Sequence, residues 1–188
     1  MKSYRNLALN VNDTHENTTC FPHAFANVET RGESVFAAKN AIDGVTANEC
    51  HGEWPYDSWG INRNPDAEMT VDFGREVEID RIILYIRADF PHDNWWKKVT
   101  VTFSDGEEKE FSLKKTGCGQ EFTFEKKKSD LGEAVQADSF PGTVTISGSC
   151  ADRSVRNRFV KKTGIQEQKH SCMPVFVVNL FLLKYAPM

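Results

Sequence analysis

Short runs in which apolar and polar residues alternate dominate the middle of the chain. Met69, Val71 and Phe73 hold every second position up to Gly74, and Val77 and Ile79 open a second run that reaches Ile86. Val99, Val101 and Phe103 make a third, which stops at Ser104-Asp105-Gly106. A period of two places successive side chains on opposite faces, so each run predicts a strand with one buried face. Asp-Gly favours the positive φ angles of a tight hairpin, which makes Phe111 and Leu113 the return strand and Phe122 with Phe124 a further one. Helical periodicity is confined to residues 34–42, where Val35, Ala38 and Ile42 could share a face before Gly44 stops a short helix.

Several short strands bounded by Gly, Pro, Asn and Asp, with no internal repeat, predict an all-β domain of the sandwich or barrel type. A length of 188 residues leaves room for one domain with a sizeable core, and 39% hydrophobic content with 11% aromatics argues for a folded globule over disorder. The net charge of −4 argues against nucleic acid as a partner, and Lys114-Lys115 and Lys126-Lys127-Lys128 read as solvated strand ends. Five cysteines, odd in number and without a CxxC pair, point to reduced thiols and away from zinc. No apolar stretch follows Met1, so the chain as written is expected to be cytoplasmic, or else a module of a larger secreted protein. The triplets Asn12-Asp13-Thr14 and Asn17-Thr18-Thr19 would matter for glycosylation only on a secretory route. Residues 175–183 are apolar apart from Asn179 but fall far short of the roughly 20 residues of a membrane span, so they predict a strand.

The densest polar chemistry lies between two strand-like runs, in Arg87-Ala88-Asp89-Phe90-Pro91-His92-Asp93-Asn94-Trp95-Trp96. Arg87 can donate a fork of hydrogen bonds to vicinal hydroxyls, Asp89 can accept one or orient Arg87, and His51 or His92 can do either. An indole can stack on the apolar face of a pyranose. Consecutive strand residues point to opposite faces, so one of Trp95 and Trp96 belongs to the core; Trp95, nearer the loop, is the candidate for ligand contact. A second loop, Cys50-His51-Gly52-Glu53-Trp54-Pro55-Tyr56-Asp57, repeats the mixture, with Arg63 and Asn64 as an extension. The plainer alternatives are an Arg87–Asp89 ion pair that locks the loop and an ordinary connector at residues 62–66.

The order of landmarks resembles the discoidin or coagulation factor 5/8 type C family, which includes galactose-binding-like carbohydrate-binding modules. It is carried by Asn6-Leu7-Ala8, Ala38-Lys39-Asn40-Ala41-Ile42-Asp43-Gly44, Trp59, Val71-Asp72-Phe73-Gly74 and Ile79-Asp80-Arg81-Ile82, and covers about residues 6–140. The resemblance implies an eight-stranded antiparallel jelly-roll β-sandwich with ligand loops at one end. It also implies a structural calcium beside the Asp-Gly turn, held by the Asp43 carboxylate and the Asn40 and Val45 carbonyls, with Asp57 in place of a usual hydroxyl or carbonyl ligand. Asp43-Gly44 as a plain turn with an Asx hydrogen bond is the alternative.

Fucose-binding members of the family use a His on one loop and Arg-x-Asp, followed after four residues by a basic side chain, on another. Here His51 and Arg87-Ala88-Asp89 match the first parts, and Asn94 stands where the basic residue belongs. The expectation is a non-catalytic domain that binds a glycan or small saccharide through His51, Glu53, Trp54, Arg63, Arg87, Asp89, His92, Asn94 and Trp95. Acid and base groups suited to a glycan-processing hydrolase are present, but no nucleophile elbow, HExxH helix or phosphate loop marks an enzyme. A third class is protein or lipid adhesion through apolar spikes, for which His23 and Phe25 are candidates that could equally pack the sandwich edge.

Beyond Pro141 the chain leaves the family pattern, so residues 1–141 are expected to form the sandwich domain and 142–188 an atypical tail. The family closes with Phe-Pro-Ala-Leu-x-Gln; here Gly142-Thr143-Val144-Thr145-Ile146 follows Phe140-Pro141. Codons for this stretch read one nucleotide later can spell Ala-Leu-Ser-Gln, which suggests an out-of-frame tail and a sandwich without its last strand. The competing expectation is that residues 175–183 supply a divergent closing strand after a long basic insertion.

Overall fold

The computed structural model describes residues 4–17, 19–46, 56, 58–87, 95–128, 143–149 and 179–185. Among these, nine strands form two antiparallel sheets: β1 (Tyr4–Asn6), β2 (His23–Ala26), β3 (Glu68–Asp72), β4 (Glu78–Tyr85), β5 (Lys98–Phe103), β6 (Glu108–Ser112), β7 (Gln120–Lys128), β8 (Thr143–Ser149) and β9 (Asn179–Tyr185). One sheet runs β1-β9-β4-β7 and the other β2-β3-β8-β5-β6. The result is the antiparallel β-sandwich that the alternating runs predict, with one strand more than the eight implied by the resemblance.

The alternation sets the core. Met69, Val71, Val99, Val101, Ile82 and Leu84 are buried, whereas the residues between them reach the surface to varying degrees. Between the edge strands β6 and β7, the rings of Phe111 and Phe122 stack at 4.7 Å, and Phe124 of β7 lies 5.3 Å from Phe103 of β5. The half-buried Phe111, Phe122 and Phe124 and the buried Phe103 join the two sheets along the edge that β6 and β7 form among the described residues.

Beyond residue 141, where the atypical tail is expected to begin, the chain forms two strands, the second overlapping residues 175–183, where the competing expectation puts a closing strand. β8 lies in the middle of the five-stranded sheet, paired with β3 on one side and β5 on the other, and β9 lies between β1 and β4. Its residues fit the places they fill. Val144 and Ile146 are buried, the Thr145 and Thr70 hydroxyls share a hydrogen bond of 2.8 Å, and Gly148 lies directly under the Trp96 indole. A side chain at Gly148 would put its Cβ 1.9 Å from Trp96 Cδ2, so this strand needs glycine where a tryptophan crosses it.

The helix expected at residues 34–42 is replaced by separate 3-10 turns at Ser34–Phe36 and Ala38–Ala41. Ala37 between them is extended (φ −68°, ψ 147°), and the next amide, Ala38 N–H, donates to Glu29 Oε1 at 2.8 Å instead of to a helical carbonyl. Of the expected apolar face, Ala38 and Ile42 are buried and Val35 is only partly so, while Phe36 and Ala41 are buried beside them.

Before β2 the chain is held by Asp13, whose carboxylate is buried. Oδ1 accepts from Thr14 N–H and Asn17 Nδ2 at 3.0 Å each and lies 2.8 Å from His23 Nδ1; Oδ2 accepts from Ala24 N–H at 2.9 Å. Asn17 is part of the same fan and also donates to the Cys20 carbonyl, so its amide serves loop structure.

Candidate functional site

The strand pairings fix which connections share an end. β3 begins at Glu68 beside Ser147 of β8, Ser149 of β8 lies beside Lys98, and Lys98 begins β5. β4 ends at Tyr85 and leads through residues 86–97 to that same Lys98. The β2–β3 connection (27–67), the β4–β5 connection (86–97) and the β6–β7 connection (113–119) therefore meet at one end of the sandwich. Arg63, Arg87 and Trp95 all belong to connections at this end. His51, Glu53, Trp54, Asp57, Asp89, His92 and Asn94 lie outside the described residues.

Two tryptophans form the floor. Trp59 is fully buried, with its Nε1–H donating to the Val28 carbonyl at 2.8 Å, and it meets Trp96 edge-on at 5.9 Å and 70°. The adjacent Trp95 is only half-buried and packs against the core from outside. The two neighbours, both before β5 begins, thus differ in burial: Trp96 lies inward over Gly148 and Trp95 stays partly at the surface. The Trp95 ring is not bare. Lys97 Nζ lies 5.8 Å and Lys115 Nζ 5.3 Å from its centroid. Sequence reasoning assigned neither lysine to the site; spacing of two along a strand could have found Lys97, whereas Lys115 comes from another connection.

Arg87 is only 4% exposed, directly after the buried Ile86. It stands where sequence places it, but as a buried arginine at the rim of the core, not a solvent-facing fork. Arg63 is exposed and sits in a turn pinned from below. Asn62 and Arg63 both take left-handed backbone (φ 47° and 59°), Asn64 N–H closes the turn on the Ile61 carbonyl at 2.8 Å, and Asn62 N–H donates to Thr30 Oγ1 at 3.0 Å. Such conformations cost of order 1–3 kcal/mol per non-glycine residue and persist only where the surroundings hold them. Thr30, fully buried, does so through its hydroxyl and through its amide, which donates to the Gly60 carbonyl at 2.8 Å.

The residues implied for a cation are only partly suited to one. The Asn40 side chain is buried and committed to the fold, with Nδ2 donating to the Ser34 and Ser58 carbonyls at 2.9 and 3.2 Å. Asp43 Oδ1 accepts from Val45 N–H at 2.8 Å, the Asx turn of the plainer alternative, with Gly44 at φ +88° between them. Burial raises the Asp43 carboxyl above its ordinary value, opposed by hydrogen bonds from Val45 and from its own backbone and by nearby Lys39. A carboxylate that burial leaves short of compensation is a suitable donor for a hard cation, and the turn leaves Asp43 Oδ2 for it. Among the described residues no three His, Cys, Asp or Glu side chains cluster around a common point, so carbonyls would have to complete the shell.

At the far side, His23 stacks on Phe25 at 5.8 Å while its Nδ1 meets Asp13, so His23 packs the sandwich edge and Phe25, 41% exposed on the edge strand β2, is the one left at the surface. No helix among the described residues is long and apolar enough to cross a membrane. Cys20 and Cys118 are free thiols.

Solved structures of similar shape share little sequence. A fucose binding module from Streptococcus pneumoniae, SpX-3, is 13% identical with a TM-score of 0.50, over 78% of this chain and 90% of its own. The CBM32-1 and CBM32-2 domains of Clostridium perfringens ZmpB, in complex with GalNAc, are 16% identical with a TM-score of 0.51, over 86% of this chain and 32% of theirs. The family 32 module of C. perfringens NanJ, in complex with galactose, is 14% identical with a TM-score of 0.48, over 86% of this chain and 92% of its own. No curated protein matches the chain. The family model for the F5/8 type C domain matches residues 24–167, most of the sequence and both sides of residue 141, and the chain belongs to that family.

Proposed function

We propose that this domain is a glycan-binding module that grips saccharide hydroxyls with the connections at one end of the sandwich. The observation that carries the reading is topological: Arg63, Arg87 and Trp95, separated in sequence, are delivered to the same end by strands of both sheets. A rigid sandwich bearing long connections is a common way to place binding groups, and a half-buried indole beside basic side chains offers stacking area together with donors. His51, Glu53, Trp54, Asp89, His92 and Asn94 belong to the same two connections and complete the proposed contact set. The F5/8 type C family is a non-catalytic one that often accompanies glycoside hydrolases, which favours binding over turnover. The similar structures include modules described with fucose, galactose and GalNAc. A calcium ion at Asp43, Asn40, Val45 and Asp57 is proposed as a structural accessory that would stiffen the β2–β3 connection.

A glycan array probed with the wild-type chain, Arg87→Ala and Trp95→Ala tests the reading. Loss of signal in Trp95→Ala with an unchanged circular dichroism spectrum is expected; a folded wild type that binds no glycan would falsify it. Leu9, Val11, Phe21 and Phe25 are exposed apolar side chains on the N-terminal segment and β2, and they favour protein or lipid adhesion as the second reading. Liposome pelleting that is lost in Phe25→Ser would move the assignment there.

A further inference from the structure

The lysines around Trp95 narrow the class of saccharide, on the assumption that this end of the sandwich binds a glycan. Lys97 and Lys115 place their ammonium groups 5.8 and 5.3 Å from the indole centroid. They reach it from different elements. Lys97 is the residue before β5, two positions from Trp95, while Lys115 lies in the β6–β7 connection. That connection is held in place: Gln120 accepts from Lys114 N–H at 2.7 Å and donates back to the Lys114 carbonyl at 3.1 Å, and Leu113 N–H donates to the Lys97 carbonyl at 2.8 Å. The last bond ties the two lysine-bearing segments together directly beside Trp95.

Among the described residues, two carboxylates on the strands that flank this connection are engaged elsewhere. Glu110 pairs with Lys98 at 2.6 Å and Glu121 with Arg81 at 2.9 Å. Lys97 has no carboxylate partner among the described residues. An ammonium resting on an exposed aromatic ring gains a factor of about two to five in equilibrium terms. A neutral pyranose that stacks on Trp95 must displace that cation from the ring face and forfeit the factor. A saccharide carrying an acidic group keeps its ring near the indole while the same ammonium moves a short way to pair with the acid.

We propose that Trp95, Lys97 and Lys115 form a subsite for an anionic sugar, one bearing a carboxylate or a sulfate. Titration calorimetry with an oligogalacturonate against its methyl ester, and with a sulfated galacto-oligosaccharide against its desulfated parent, tests this and tells the two anions apart. At least one acidic form is expected to bind about tenfold more tightly than its neutral counterpart, with the advantage shrinking as salt is raised. Lys97→Gln and Lys115→Gln are each expected to remove about three- to tenfold of the advantage, and Lys97→Arg to retain it. Lys109→Gln, an equal charge change on β6 at a lysine paired with Glu107 at 2.9 Å, is expected to change nothing. If neutral and acidic forms bind alike, the anionic subsite is wrong while glycan binding stands. If the folded chain binds none of these sugars and none on the array, both fail.

Discussion

The two ends of the sandwich are built to opposite rules. At one end two of the connections turn back tightly. Residues 104–107 close the β5–β6 hairpin with Gly106 at φ +81° and Asp105 accepting from Glu107 N–H, and residues 73–77 carry β3 into β4 around Gly74, where Asp72 accepts from the Gly74 amide. At the other end the β2–β3 and β4–β5 connections are long, the first holds left-handed Arg31, Asn62 and Arg63, and together they carry Arg63, Arg87 and Trp95 to the end where Trp59 and Trp96 are buried. These two turns spend Asp72 and Asp105 on their own backbone. The open end keeps side chains of mixed chemistry at its rim, and that is the property a binding surface needs. Adjacent Trp95 and Trp96 condense the contrast into neighbours, one serving the fold and one serving the surface.

The largest expected effect lies under that surface. Trp96→Ala should destabilise the domain by about 3–5 kcal/mol in a denaturant titration, whereas Trp95→Ala should cost about 1 kcal/mol and act mainly on binding. Equal losses from both would erase the distinction between floor and rim. Gly148→Ala should cost about 1–3 kcal/mol or more, because the new Cβ meets the Trp96 ring in a central strand that cannot step aside. A neutral result there would mean that β8 does not run beneath Trp96. At the tight end, Gly106→Ala should cost about 1 kcal/mol through its positive φ alone, since nothing lies within 4 Å of the added methyl, and should leave glycan binding untouched.

The smallest effect concerns Asp43. Its folded-state pKa is raised, chiefly by burial, so the folded state holds the proton more tightly than the unfolded chain does. The associated stability is present below the unfolded carboxyl value and is lost as pH rises through the folded one. In metal-free buffer at neutral pH, Asp43→Asn should therefore be neutral or slightly stabilising in thermal melts, because asparagine keeps the acceptor for Val45 N–H. If a calcium ion sits there, adding calcium should raise the melting temperature of the wild type and not of Asp43→Asn, and the gain should fade as acid protonates Asp43.

Much of the scaffold is legible in sequence because strand alternation is a local signal. Met69-Val71-Phe73, Val99-Val101-Phe103 and the Asp105-Gly106 hairpin state their faces and their turn within a few residues. The short helix at residues 34–42 is misread because Glu29, outside the periodic segment, captures the Ala38 amide that a helix would use. The tail is only partly legible: a closing strand is expected at residues 175–183 and β9 forms at Asn179–Tyr185, whereas β8 is not foreseen. Thr143-Val144-Thr145-Ile146 looks unlike the family's closing motif, yet any alternating segment with a glycine in register can lie between β3 and β5, and only Trp96 crossing the sheet shows why Gly148 is needed.

The same division holds for the site. By itself the sequence determined the β class, the family landmarks, and the identity of Arg63, Arg87 and Trp95 as candidates, since each depends on residue type and short spacing. Tertiary structure alone decided that Arg87 is buried, that Asp13 anchors the N-terminal segment, and that Lys115 shares an indole with Lys97. Burial and long-range pairing are set by which strands become neighbours, and neighbours in a sandwich come from opposite parts of the chain.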